Sequence, residues 1–310
     1  MVRAPALRTR QCLEGAAASV NQRAMTHPEI LLKLSCPDRV GLLAEVTGFC
    51  AKRSLNLLEA HQFTDGEAGW FFTRLRLQPV GDFAGMEPLR DELSSFAAAL
   101  EAEWILRERT TRPRAAILVS REGHCLADLL WRWRSGDLDM ELAGVIGNHR
   151  DLEPVARREG VPFVHVPVEA GQREAAFATI GRQLDDWGTD IAVLARFMQI
   201  VPPDLCARWA GRMINIHHSF LPAFAGAQPY RQAHRRGVKL IGATCHYITP
   251  ELDAGPIIDQ EVTRVEHFHS LPDLVRLGQD CERLALFRGL RYHLEERVFV
   301  HGERTVVFRD

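Results

Sequence analysis

From Ile30 the chain alternates. Ile30, Leu32, Leu34 and Cys36 share one side of an extended segment, with Leu31, Lys33 and Ser35 between them, the period-two pattern of a strand. In the following stretch, CPDRVGLLAEVTGFCAKR, the spacing lengthens to three and four residues at Leu43, Val46, Thr47 and Cys50, which predicts a helix. Asp38 stands ahead of that helix as its expected N-cap. Two more extended segments follow, NLLEAHQFTD and WFFTRLRLQ, the second with Phe71, Thr73, Leu75 and Leu77 on one face. Gly66 and Gly69 mark the turn between them. Met86, Leu89, Leu93, Phe96 and Leu100 then recur at helical steps, and EWILRER reads as a closing strand. The order strand, helix, strand, strand, helix, strand is the ferredoxin-like split arrangement.

After a short polar linker, TTRPR at 110–114, the pattern changes character. AAILVS, ELAGVIGN, FVHVPV and DIAVLA are continuous apolar runs, and helices are predicted between them: one in CLADLLWRW, one from about Leu152 and one from about Gln172 to Trp187. Uninterrupted apolar strands alternating with helices predict a parallel sheet covered on both faces, so the second half is expected to be an open, Rossmann-like α/β domain. The turn after its first strand, SREGHC, holds a single glycine. Neither GxGxxG nor GxxxxGK[ST] is present, which argues against a dinucleotide or P-loop phosphate site.

Composition narrows the class of partner. Lys and Arg total 38 against 40 Asp and Glu among 310 residues, a formal net charge of -2, so no general basic field favours nucleic acid or an anionic membrane. No apolar run reaches the roughly 20 residues of a membrane helix. The seven cysteines never fall in CxxC spacing, which suits free thiols in a reducing compartment and a cytoplasmic location. Residues 1–28 carry Arg3, Arg8, Arg10 and Arg23 with Glu14 as the one acid, and are expected to form a disordered leader, with Met25 an alternative start.

Candidate chemistry lies further on. If MINIHH is a strand, Asn215 and His217 are two apart and point to the same side. Pro222, Gly226 and Pro229 break the stretch behind it, which puts the pair at the carboxyl end of a strand, where open α/β sheets hold ligands. ATCHYITPELDAGPIIDQE leads another strand into a loop with Asp253, which could set a carboxylate against an imidazole. Amide, imidazole and carboxylate together suit attack on a carbonyl: the amide donates to the developing oxyanion, the imidazole moves a proton and the carboxylate orients it. On the residues alone, satisfied hydrogen-bonding groups at strand ends remain the alternative. His218, if on the strand, points away from His217 and is expected to be structural. Gly123 and His124 read as a turn and helix start, and His267 and His269, lacking an acidic or Cys partner at ligand spacing, as a solvated loop.

Two resemblances sharpen these readings. CPDRVGLLAEVTGFCAKRSLNLLEA resembles an ACT domain. That implies a small-ligand regulatory module over 29–110 that pairs its sheets in homo-oligomers. A small amino acid would bind near Asp38, Val40, Gly41 and Leu42, with Gly41 allowing close backbone approach. NIHHSFLPAFAGAQPYRQAHRRGVKLIGATCHYITPELDAGPIIDQE resembles the folate-dependent formyltransferase fold, here over 111–310. VSREGHCLADLL, VIGNH and LARFMQI bring it nearest to the formyltetrahydrofolate deformylases. The resemblance implies hydrolysis of 10-formyltetrahydrofolate to formate and tetrahydrofolate, without a metal or cofactor, supplying formate for purine synthesis. It implies that Asn215 binds the formyl oxygen, that His217 is general acid or base, and that Asp253 holds His217 charged and helps place water. Substrate contacts are implied at Arg196, Phe197, Met198, His218, Ser219, Leu221, Gly226, Thr249 and Leu252, although Phe197 and Met198 could simply be core. Formyl transfer to an amine acceptor, or folate and amino-acid sensing without turnover, are the competing functions.

Overall fold

The computed structural model describes residues 28–222 and 229–309, so the expected leader up to residue 27 and Gly226 lie outside the described residues. The first unit is β1 (Ile30–Pro37), α1 (Leu42–Ala51), β2 (Leu55–Asp65), β3 (Trp70–Pro79), α2 (Met86–Ala99) and β4 (Glu103–Glu108). Its antiparallel sheet has the order β2-β3-β1-β4, the expected split arrangement. Leu32, Leu34 and Leu75 pack with Leu42, Val46, Leu89 and Leu93 in one core beneath the two helices. Each such side chain contributes about 1.5–3 kcal/mol by leaving water.

Two local expectations are corrected. Gly41, with φ 92°, caps α1 and no side chain closes the helix end, while the Asp38 amide donates to the Gly69 carbonyl. The left-handed turn at Gly41 starts the helix later than the sequence suggests, and the buried stripe becomes Leu42, Val46, Phe49 and Cys50. Leu43 and Thr47 therefore lie off the core face. Leu42 belongs to the core and Val40 is fully exposed, so the four residues of the expected effector turn do not share one environment.

The second unit comprises β5 (Arg114–Val119), α3 (His124–Ser135), β6 (Glu141–Gly147), α4 (Glu153–Arg158), β7 (Phe163–His165), α5 (Arg173–Asp186), β8 (Ile191–Leu194), α6 (Pro203–Arg208), β9 (Met213–His217), α7 (Pro229–Arg236), β10 (Leu240–Tyr247), β11 (Ile257–Arg264) and α8 (Leu271–Leu294). The seven strands run β11-β10-β9-β8-β5-β6-β7. The order reverses at β5, which opens a crevice at the carboxyl ends of β5 and β8. Alternate β5 residues enter opposite cores: Ala115, Ile117 and Val119 meet α3 and α8, whereas Ala116 and Leu118 meet α5 and α6. The expectation of a sheet covered on both faces holds. It is not wholly parallel, because β10 runs antiparallel to β9, and β11 to β10.

A hairpin, β12 (Val298–His301) and β13 (Arg304–Val307), leaves α8 and packs back onto the first sheet. Phe72 meets Phe299 edge-on at 5.5 Å and His301 at 5.7 Å, and His61 stacks on Phe308. The buried Arg74 guanidinium pairs with Glu59 at 2.8 Å and donates to the Glu295 carbonyl at 3.0 Å. The hairpin thus covers the sheet face opposite the helices and ties the two units together. Truncation of Phe72 to Ala, which leaves a void between sheet and hairpin, is expected to cost about 3–5 kcal/mol. Denaturant unfolding measures this, and a loss below about 1 kcal/mol would show that the hairpin contributes little to this unit.

Candidate active site

The register of β9 against β10 places the first two candidates. Asn215 lies opposite His246, and His217 opposite Thr244. Asn215 Nδ2 is 3.1 Å from His246 Nε2, and His246 Nδ1 is 2.8 Å from the Tyr247 carbonyl oxygen. A carbonyl only accepts, so Nδ1 carries the proton and Nε2 receives the Asn215 N–H. Burial holds the His246 ring below the ordinary imidazole value, outweighing the Tyr247 carbonyl and the Asp253 charge, so the ring stays neutral and this arrangement persists. The Asn215 amide is thereby fixed, and its second N–H has no partner among the described residues.

His217 is buried, with Nδ1 3.1 Å from Asp253 Oδ1. Its Nε2 has no hydrogen-bond partner among the described residues. Burial opposes ionisation of Asp253, but the hydrogen bond from His217 and the neighbouring histidines prevail and hold its carboxyl below the usual range. Asp253 itself sits at φ 56°, a strained conformation for a residue other than glycine. The register of β10 against β11 shifts at Cys245 and His246, where Ile258 is the extra residue of β11, and the loop ahead of it rests on β10 because Gly255 lies directly on the Tyr247 carbonyl. A Cβ at Gly255 would stand 1.8 Å from that oxygen.

These groups open into a cleft of about 680 Å³ that Arg196, Met198, His218 and Leu252 also line. Phe197 is buried against Phe177, and its carbonyl accepts from the Ser120 hydroxyl beyond β5. Its neighbours Arg196 and Met198 adopt φ 63° and 55°. Phe197 thus belongs to the core and also borders the cleft, while Met198 is exposed there. Ser219 and Leu221 shape the loop behind β9: the Thr244 hydroxyl donates to the Ser219 carbonyl at 2.9 Å and accepts from the Leu221 amide at 3.0 Å. Thr249 lines an adjoining small cavity with Asn215 and Asp253 rather than the cleft itself. His218 departs from the strand-alternation reading and lies where the resemblance implies a substrate contact. Because β9 ends at His217, strand alternation does not reach His218, and its ring also lines the cleft, 5.2 Å from that of His217.

Sequence reasoning missed the floor of the cleft. Glu282 of α8, 1% exposed, accepts from the Tyr230 hydroxyl at 2.6 Å, lies 2.7 Å from His124 Nε2 and 3.5 Å from Arg196 Nε. Tyr230 crosses α8 at Gly278, where any side chain would collide with it. Burial opposes the Glu282 charge, but His124, Arg196 and Tyr230 together hold its carboxyl below its ordinary value of 4.5. His124, Cys125 and Glu282 bring ligand atoms within 4.8 Å of one another. Burial and the Glu282 charge hold the Cys125 thiol well above the ordinary thiol range, while His124 and Glu282 are engaged with one another. The signal for Glu282 in the sequence is an acid between the small apolar Cys281 and Ala285 on a helix, legible only once α8 is known.

The formyl transferase family matches residues 113–290 and the ACT domain family residues 30–95. A formyltetrahydrofolate deformylase of Corynebacterium sp. (strain P-1) is 44% identical over 281 residues, 90% of this chain and 98% of the relative. The chain belongs to the formyltetrahydrofolate deformylase family. Crystal structures of family members from Pseudomonas syringae pv. tomato and Burkholderia mallei agree in fold, with TM-scores of 0.88 and 0.86 at 46% and 41% identity. They cover 93% and 91% of this chain, and the matches span 97% and 100% of theirs, so both units and their connection are shared within the family.

Two outcomes are expected from this geometry. Gly255→Ala should push the Asp253 loop off Tyr247 and lower turnover far more than thermal stability, which steady-state kinetics beside a melting curve would check. Glu282 binds its proton less readily in the folded chain than in the unfolded one. The stability it contributes is complete above its ordinary value of 4.5 and is lost as pH falls through the lower folded value. Melting temperature against pH should therefore fall less steeply on the acid side in Glu282→Gln, and an unchanged acid limb would contradict this assignment.

Proposed function

We infer that this protein hydrolyses 10-formyltetrahydrofolate to formate and tetrahydrofolate. The observation that carries the reading is the convergence of the Asn215 amide, the His217 Nε2 that has no partner among the described residues and the Asp253 carboxylate on one cleft, in a chain of the deformylase family. The Asn215 N–H donates to the formyl oxygen, and the bond strengthens as that oxygen becomes an alkoxide in the tetrahedral intermediate. His217, held at Nδ1 by Asp253, presents Nε2 to the reacting centre and delivers a proton to the departing N10. Asp253 stabilises the imidazolium and fixes its orientation. Arg196 Nη1, a buried donor with no protein partner among the described residues, and the exposed Met198 and Leu252 receive the folate. Water is the second substrate, and these steps call on no metal or further cofactor.

The wider role follows from the same reading. In the cytoplasm the released formate supplies purine synthesis and the reaction balances the one-carbon folate pools. The ACT unit binds a small amino acid at the Asp38–Leu42 turn and pairs copies of the chain along the edge strand β2, whose Leu57, Leu58 and Phe63 are exposed. Among the described residues no helix is long and apolar enough to cross a membrane.

Purified protein incubated with 10-formyltetrahydrofolate and no amine should release formate and tetrahydrofolate in equal amounts. Asn215→Ala should lower kcat by about 10²–10³, or about 3–4 kcal/mol of barrier. Asp253→Asn should lose most turnover while still binding folate. Release of the formyl group only when an amine acceptor is added would identify a transferase, and tight folate binding without turnover a sensor.

A further inference from the structure

Hydrolysis of a formamide moves two protons at different places. One leaves the attacking water as its oxygen bonds to the formyl carbon, and one arrives at N10 as the C–N bond breaks. His217 offers a single nitrogen for this work, because its Nδ1 is engaged by Asp253. A second proton acceptor facing the same cleft would separate the two tasks.

We propose, resting on the hydrolytic reading, that His218 is the general base that takes the proton of the attacking water. Its ring follows the last residue of β9, lines the cleft beside His217 with centroids 5.2 Å apart, and makes no hydrogen bond with any other described residue. The half-buried ring is flanked by the phenol of Tyr230, at 6.1 Å between centroids. That hydroxyl is committed to Glu282 and does not compete for the imidazole. The charged and titratable groups around it come from each neighbouring element: Arg196 beyond β8, His217 on β9, Asp253 in the loop before β11, and Glu282 on α8. Burial, then the Arg196 charge, push the His218 ring down to about 4, so it is neutral at pH 7 and offers a lone pair. It is then comparable as a base with the carboxylates that other enzymes use for proton abstraction.

The step balances. Water oxygen bonds to the formyl carbon while one of its protons passes to His218, and the carbonyl electron pair moves onto the oxygen held by Asn215. The intermediate collapses, the C–N pair goes to N10, and N10 takes its proton from His217. Formic acid ionises, and the proton on His218 passes to neutral His217 or to bulk water, restoring both rings.

The test uses the full-length His218→Gln and His218→Ala proteins, with melting temperature and tetrahydrofolate binding as checks of folding. Formate release is followed with 10-formyltetrahydrofolate as substrate. The expected result is a kcat at least about 100-fold lower with KM within about threefold, and partial recovery of His218→Ala by added imidazole in proportion to its neutral fraction. Three results overturn the proposal: kcat within about fivefold of the parent, a loss carried by KM, or a kcat loss that imidazole does not restore. A parent protein that releases no formate would instead sink the hydrolytic reading.

Discussion

The register between β9 and β10 is the constraint on which the site depends. Antiparallel pairing sets Asn215 across from His246 and His217 across from Thr244, so one ladder orients both the amide and the loop behind the imidazole. A slip of one residue would turn every one of these side chains to the other face. The register shift at Cys245 and His246, with Ile258 as the extra residue of β11, falls where the Asp253 loop returns to the sheet, and Gly255 lets that loop rest on the Tyr247 carbonyl. The Tyr247 carbonyl also fixes the His246 tautomer and so, at one remove, the direction of the Asn215 amide. Positioning of the carboxylate and orientation of the amide thus share one short stretch of backbone.

Charge is arranged around that frame in two layers. At the mouth, Asp253 faces His217 and lies 4.0 Å from His246, of which burial keeps the second neutral. Below, Glu282 gathers His124, Tyr230 and Arg196, compensating a carboxylate that would otherwise be costly to bury. The same Arg196 disfavours a positive charge on His218. Arg196 and Asp253, both with positive φ, occupy conformations that their packed surroundings must impose, as expected where backbone geometry serves a site.

The first unit is attached by more than its linker. The β12–β13 hairpin covers the sheet face that α1 and α2 leave open, and Tyr247, next to His246, hydrogen-bonds His293 of α8 at 2.7 Å shortly before that hairpin begins. Lys33 of β1 donates to the Val298 carbonyl and lies 3.9 Å from Glu296. These contacts join the ACT sheet to the strand that orients the Asn215 amide.

Much of this was legible in the chain itself. Alternation from Ile30, the apolar runs of β5, β6 and β8, and the spacing of Asn215 and His217 depend on local periodicity, which a sequence displays directly. Asp253 was legible on the residues alone only as a carboxylate in a Pro- and Gly-bounded loop able to fold back, and its pairing with His217 came from the family resemblance. The N-terminus of α1 was misread because the left-handed turn at Gly41 competes with the Asp38 cap, and His218 because the end of β9 decides where alternation stops. Glu282, Tyr230 and His246 gain their roles only from partners distant in sequence, and the hairpin finds its place only against a sheet made by residues 30–108. Sequence determined the elements and their order and marked the candidate groups Asn215, His217 and Asp253, because these follow from short-range pattern and motif. Tertiary structure alone decided which buried charges meet and which imidazole stays neutral, because those energies depend on burial and on distances that no spacing along the chain encodes.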